Sequence, residues 1–313
     1  MEKKYKLSHY LYKYRVKYIL GILTLFAVDI INTYIPQFTG EVTDGLTART
    51  LDMSGVYHLI IKILLCGLAI ALCRFLWRYF IFGSARAIEY DMRNDLFAHL
   101  ETLSMNYYNK NKTGDLMAHF TSDLNAIRMS VGMAVISSFD SIFMTIMILI
   151  KMFFNISISL TLLASVPLII IAFASIWYGK NIKIRFEKKQ EAFSNLTDVA
   201  NEDISGVRVI KAFVRERSRL KEFAKYNQDN MDKTMDVVKL QAVAIPLLDI
   251  ITGLSSLITL VYGGSLAVMG KISLGQFIAF NQYIGMLVWP MLAIGESITT
   301  FSQGKASLNR VYS

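Results

Sequence analysis

Cysteine, proline and acidic residues are scarce in this 313-residue chain, and each shortage removes a class of protein. Two cysteines cannot staple a disulfide scaffold. Four prolines and 18 glycines, with no short period, exclude a collagen-like or repeat-built chain. Charged residues make up only 18% of the chain, and a disordered chain has the opposite balance. What is abundant is apolar length: 54% of residues are hydrophobic, above the roughly 45–50% of a soluble domain. A membrane protein is the leading class. Cys66 and Cys73 are seven residues apart in one apolar run, about 10 Å along a helix, too far to bridge. They are expected to be buried packing residues.

Six stretches reach the roughly 20 apolar residues that a bilayer crossing needs. They cover about 18–38, 56–82, 130–154, 158–179, 245–269 and 274–301. The first follows a basic, amphipathic segment, residues 1–17, that holds Lys3, Lys4, Lys6, Lys13, Arg15 and Lys17. Its apolar run is long and lacks a small-residue cleavage site, so it is read as a retained span rather than a leader. The connections after spans 1, 3 and 5 are short (39–55, 155–157 and 270–273). Those after spans 2 and 4 are long (83–129 and 180–244), so all long connections lie on one side. Of the 33 Lys and Arg residues, 27 lie in the N-terminal segment, the two long loops and the C-terminal end. The short loops carry only Arg49 and Lys271. Positive residues stay inside, so both termini and both long loops are expected to be cytoplasmic, in a multi-pass protein of the cell membrane. The net charge of +9 then calls for the lipid bilayer as partner and no nucleic acid, for which no motif is present.

Neither long loop reads as a linker. Gly and Pro are absent from 84–105, where Ile88, Met92, Leu96, Leu100 and Leu103 recur at helical steps. Gly and Pro are absent again from 181–205, and Phe193, Leu196, Ala200, Ile204, Val207, Ile210 and Val214 form a second stripe. Glu89, Arg93, Asp95, Lys188, Lys189 and Glu191 occupy the opposite, polar faces. Spans 2 to 5 therefore continue as helices into the cytosol, where 25 residues reach nearly 40 Å. The stripes are expected to bury against neighbouring extensions. Turning points fall at Asn109 to Asp115 and near Val214 to Lys221. After the first comes a short amphipathic stretch with Leu116, Met117 and Phe120, closed by Ser122 and Asp123. A short element at the tip of a long hairpin suits docking on another protein.

Ionisable residues inside spans are costly and face a partner or water. Asp29 and Asp140 lie near mid-depth in spans 1 and 3. Lys62 and Lys151 lie near outer ends, where they can snorkel. One reading is a cavity for cationic amphipathic substrates, lined by Asp29 and Asp140 with Asn32, Gln282 and the aromatic Trp289. The other is that the acids pair with Arg74, Arg78 or polar groups and hold the bundle together. Pro36, Pro167, Pro246 and Pro290 fall in or at the ends of spans, and Gly263-Gly264 permits close helix approach. His9, His58, His99 and His119 lack metal-ligand spacing, and no nucleophile–base pair stands out.

Several segments, in order, carry a family resemblance. Arg93-Asn94-Asp95-Leu96-Phe97-Ala98-His99-Leu100, with Tyr107-Tyr108, leads to Thr113-Gly114-Asp115-Leu116-Met117-Ala118-His119-Phe120-Thr121-Ser122-Asp123. Further on come Glu202 to Glu216 and Gly270 to Phe277. The chain resembles the transmembrane domain of ABC exporters (the type-1 region of half-transporters, multidrug- or lipid-exporter-like) over nearly its whole length. His119 stands where the family has Arg.

The resemblance implies an all-α membrane protein of six transmembrane helices with long cytosolic extensions. Residues 18–305 would form the type-1 domain, and 306–313 the start of a linker to a nucleotide-binding domain absent from this chain. It implies that two such domains, identical or not, pair around a cavity that ATP-driven closure switches between inward- and outward-facing. Coupling to the nucleotide-binding domains would fall to Gly114, Asp115, Leu116, Met117 and Phe120 in the first hairpin, and Phe213, Glu216 and Arg217 in the second. No G-x-x-x-x-G-K-[ST] run occurs, so this chain alone is expected to hold no cofactor and hydrolyse no ATP. ATP and Mg2+ would belong to the missing domain, either in a longer form of this chain or in a separate polypeptide. A proton-coupled secondary transporter using Asp29 and Asp140 is the alternative; it makes no use of the hairpins, and no inverted repeat is visible.

Overall fold

The computed structural model describes residues 6–312. Lys3 and Lys4 of the basic segment, and Ser313 at the end of the expected linker, lie outside the described residues. A short helix α1 (Leu7–Lys13) precedes α2 (Arg15–Thr47). Then come α3 (Met53–Glu101), α4 (Met105–Lys110), α5 (Thr113–Asn155) and α6 (Ile158–Ser205). The chain ends with α7 (Val207–Ala212), α8 (Glu216–Val268) and α9 (Leu274–Tyr312). Among the described residues there is no strand. Helices α2, α3, α5, α6, α8 and α9 are long and apolar enough to cross a membrane, as the six apolar stretches predict. Each crossing helix runs beyond its apolar stretch, and α6 reaches 48 residues.

Local chemistry sets the ends. Arg49 takes a left-handed φ of 54° after α2, and Gly270 does so at 68° before α9. Asp52 caps α3: its carboxylate accepts from Gly55 N at 2.9 Å and from Ser54 Oγ. Those two bonds, the Gly55 N–H first, hold the Asp52 carboxyl below the usual range. Pro36, Pro167, Pro246 and Pro290 all lie within helices. Three π-helical turns interrupt the long helices, at Arg78–Phe82, His119–Asp123 and Thr259–Gly263.

The chain divides into two compact units: residues 1–172 with 254–313, and residues 173–253. In the first, α9 packs along α5 and α2, and α2 along α3. Near the C-terminal end of α2 and the start of α9 the two helices nearly touch through glycines. A Cβ on Gly275 would stand 2.0 Å from the Gly40 carbonyl oxygen, so only glycine fits there. Asp44 accepts from Ser273 Oγ at 2.5 Å and Gly275 N at 2.7 Å, closing the same seam. Of the glycine pair in α8, Gly263 lies close to Leu160 and Phe277, whereas Gly264 faces open space. The core of this unit gathers Tyr10, Ile81, Ile88, Met92, Leu124, Ile127 and Val131, with Leu308 and Val311 against it. The second unit is a pair of long antiparallel helix segments joined through α7, with Ala192, Val199, Val237 and Leu240 buried.

Several sequence expectations need correction. The second turn is shorter than 214–221 and starts one residue before it. Gly206 interrupts the helix after Ser205, and the chain turns at 213–215, before α8 starts at Glu216. Ser122 and Asp123 close nothing: the helix widens into a π-turn there and continues. Glu89 is not on a solvated face but buried, at 8% exposure. The stripe through Phe193 and Ile204 is exposed, while the neighbouring Ala192 and Val199 pack inward. Periodicity finds an apolar face but cannot say whether this chain or another molecule covers it. Cys66 and Cys73 are free and half-buried rather than core residues.

Candidate functional site

Three places gather chemistry: the tip of each hairpin and a cluster of charges at mid-depth. The first tip is the start of α5, after a turn at Asn111 and Lys112. Leu116 is turned inward at 9% exposure, whereas Met117 is 54% exposed. Gly114 and Asp115 are exposed, and a Cβ on Gly114 would meet nothing. Phe120 is half-buried with its ring edge-on to Phe97, centroids 6.4 Å apart. Five residues that the sequence singles out thus form one short helical tip, with apolar Met117 facing outward.

The second tip is α7 and the turn after it. Phe213 and Val214 are among the most exposed large apolar residues, at 73% and 81%. Val214 adopts a left-handed φ of 53°, a strained conformation for a β-branched residue, and such strain costs of order 1–3 kcal/mol. Glu216 accepts from Lys211 Nζ at 3.0 Å across the turn, and Arg217 is exposed. Arg219 braces the tip through Asp203, Glu202 and Glu222. Beside it lies a crevice of about 590 Å3, lined by Asp203, Gly206, Phe213 and Arg219 among others.

Inside the bundle Asp29 is buried at 1% exposure. Asp140 and Arg74 are its charged neighbours. Two carboxyls thus face one guanidinium within the apolar bundle, where unpaired charge is costly. Phe26 and Phe143 meet beside this cluster, edge to face at 5.2 Å. The other expected cavity residues are not gathered there. Gln282 donates to Thr39 Oγ1 at 3.0 Å, Trp289 is 61% exposed, and Asn32 is half-buried. Lys151 does not simply reach for the surface: its ammonium donates to Gln37 at 2.9 Å and lies 4.0 Å from the centroid of the Tyr34 ring.

Sequence reasoning misses the polar anchors of the first hairpin. Glu89 accepts from Arg93 at 2.7 Å and Arg86 at 3.2 Å, and Arg128 lies at 3.2 Å. Asp123 is paired with His119 and Arg310. Tyr10 donates to Asp95 at 2.6 Å, and Lys13 and Tyr14 both reach Asp91. Burial first, then the Asp95 carboxylate, pushes the Tyr10 hydroxyl above its ordinary range. The Asp91 hydrogen bond raises Lys13. The missed signal is position: Asp123 and Glu89 fall among apolar residues at helical spacing.

Comparison with known proteins agrees with the architecture. A family model described as ABC transporter transmembrane region matches residues 18–291. A Bacillus subtilis (strain 168) protein, "Probable multidrug resistance ABC transporter ATP-binding/permease protein YheI", is 36% identical over 98% of this chain and 52% of its own length. "Multidrug resistance-like ATP-binding protein MdlA" of Escherichia coli (strain K12) is 29% identical over 98% of this chain and 52% of its own. An "ATP-dependent lipid A-core flippase" of Syntrophus aciditrophicus (strain SB) is 29% identical over 71% of this chain and 37% of its own. The chain spans about half the length of YheI and MdlA.

Proposed function

From the premise that this chain belongs to the ABC transporter transmembrane-region family, we propose that it is the membrane module of an ATP-driven exporter. The observation that carries the proposal is the family match over six apolar helices, four of which extend into two hairpins tipped by short, exposed elements. In this reading the module spans 18–305, residues 306–313 begin a linker, and both termini face the cytoplasm. A second transmembrane domain, identical or different, completes the cavity. Amphipathic substrates, drug-like, lipid or peptide, move outward by alternating access.

ATP and Mg2+ do not fit this chain. Its cytosolic tips are helical, and its sequence holds no glycine-rich phosphate loop. The nucleotide-binding domain is therefore a further domain, carried by a longer form of this chain or by a separate polypeptide. This chain's part is mechanical. Gly114, Asp115, Leu116, Met117 and Phe120 on one tip, with Phe213, Glu216 and Arg217 on the other, receive the motion of that domain. The small open Gly114 and exposed Met117 suit the seating of a partner surface against the first tip. Long helices carry the displacement as rigid levers between two packings.

Asp29 and Asp140 bias the cavity toward cations, because Arg74 balances only one carboxyl. Asn32, Gln282 and Trp289, set apart from that cluster, meet the substrate elsewhere along the proposed route. The proton-coupled alternative gains nothing from the hairpins. The test is ATP-dependent uptake of ethidium, a lipophilic cation, into inside-out vesicles carrying the full-length transporter. Uptake that needs ATP and falls at least several-fold in Asp29→Asn supports the reading. Uptake driven by a proton gradient without ATP contradicts it. ATP-driven uptake unchanged in Asp29→Asn removes the acids from the substrate route.

A further inference from the structure

A buried carboxylate ties the first hairpin to the last helix. Asp123 is 3% exposed and sits on the π-turn His119–Asp123, which follows the tip Thr113–Ala118 without a break. Its two oxygens go to two different elements. His119 Nδ1 donates to Oδ2 at 2.8 Å within α5. Arg310 Nη2 of α9 donates to Oδ1, and also to Ser307 Oγ at 3.0 Å. The surrounding surfaces are flush. A Cβ on Gly304 would stand 2.2 Å from Ser130 Cβ, and both Ser130 and Ser307 are buried. A buried acid is expensive unless paired, and apolar residues at such a seam would pack without that cost. Its partner Arg310 lies two residues before the last described residue of the helix.

We propose that Asp123 is a positioning residue that locks the cytosolic end of α9 to the tip of the first hairpin, so that both move as one body during the transport cycle. The proposal rests on the exporter reading. Under it, the nucleotide-binding domain acts on α9 by two routes that must agree: through the chain that follows α9, and through the tip, His119 and Asp123. The wide π-turn is the local device. It inserts one extra residue into the helical turn, which shifts the register between Leu116 on the tip side and Asp123 and Leu124 beyond it. A loose connection would let the tip rock without moving α9. ATP hydrolysis would then continue without transport.

The test uses the full-length transporter in proteoliposomes, with ethidium transport and ATP hydrolysis measured in the same preparation. Asp123→Asn keeps the shape and removes the charge. Arg310→Met acts from the solvent side, where the guanidinium side chain is 62% exposed, and leaves the packed seam intact if the first variant folds poorly. Each single variant is expected to lower transported ethidium per ATP about five- to tenfold, within the range of coupling effects. ATP hydrolysis is expected to stay within about twofold. The double variant is expected to be no worse than either single one, because both break the same link. Arg310→Lys, which keeps the charge, is expected to restore most of the ratio. Hydrogen exchange is expected to rise at 124–131 and 304–312 together. Variants that pump as well as the parent, or whose losses add in the double variant, overturn the proposal alone. A parent protein that shows no ATP-driven transport overturns the exporter reading, and this proposal with it.

Discussion

The two long hairpins are built on opposite plans. The first is fixed by polar groups buried in its own unit: Glu89 among three arginines, Asp123 between His119 and Arg310, and Tyr10 on Asp95. The second has comparable charges but leaves them wetter. Arg219 meets three carboxylates, of which Glu202 is 72% and Glu222 44% exposed. Apolar Phe193, Ile204, Phe213 and Val214 stand in the open. One hairpin is braced from within. The other presents surfaces that gain stability only when something outside this chain covers them.

The largest expected contrast is between the two charge hubs. Glu89→Ala strands Arg128, whose side chain is only 16% exposed, and is expected to cost about 2–3 kcal/mol. Arg219→Ala removes three ion pairs at the second tip yet is expected to shift melting far less, because water screens them. Thermal unfolding of the purified protein in detergent reads both. Equal losses would break the comparison.

Next come the glycines. Gly304→Ala pushes a methyl into Ser130 and is expected to cost about 1–3 kcal/mol. Gly253→Ala, in the second unit with open space around it, is expected to be neutral or stabilising by up to about 1 kcal/mol. The same melting curves decide this pair.

Smaller effects on folding, with larger ones on assembly, are expected from the exposed stripe. Phe193→Ser with Ile204→Ser should barely change the melting of this chain by itself. It should lower the yield of the assembled transporter on size-exclusion chromatography. Unchanged assembly would show that this face stays bare.

The smallest effect is at Asp52, the exposed cap of α3. Its folded pKa lies below the unfolded value of ~3.9. The stability it adds is therefore present above pH ~4 and is lost as pH falls through the folded value. Asp52→Asn should erase that acid limb in hydrogen exchange of the first turn of α3. An unchanged limb would assign it to another carboxylate.

The crossing helices, their order and their helical extensions are legible in the sequence because apolar length and helical spacing are local properties. The first tip is legible too, in the turn residues from Asn109 to Asp115, whereas the break at Gly206 sits inside the apolar stripe that spacing joins from Phe193 to Val214. Burial of charge is not local. Glu89 and Asp123 look like surface acids until α9 and the arginines are placed around them. The exposed stripe at Phe193 carries the same pattern as a core stripe, since periodicity records apolarity and not the partner that covers it. The mid-depth cluster is half legible. Asp29 and Asp140 are neighbours, with Arg74 beside them, but Gln282 bonds to Thr39 and Trp289 is 61% exposed.

The central claim is that both tips are seats for an ATPase domain, and thiol protection tests it most directly. Single cysteines would replace Met117 and Phe213, which are 54% and 73% exposed, in a background with Cys66 and Cys73 replaced by serine. A membrane-impermeant maleimide would then be applied from the cytosolic side, with and without the nucleotide-binding domain. The account predicts fast labelling at both positions in this chain alone. It also predicts slowing of about tenfold or more at both when the domain is present, as burial in a specific interface requires. Equal labelling rates with and without the domain would contradict it.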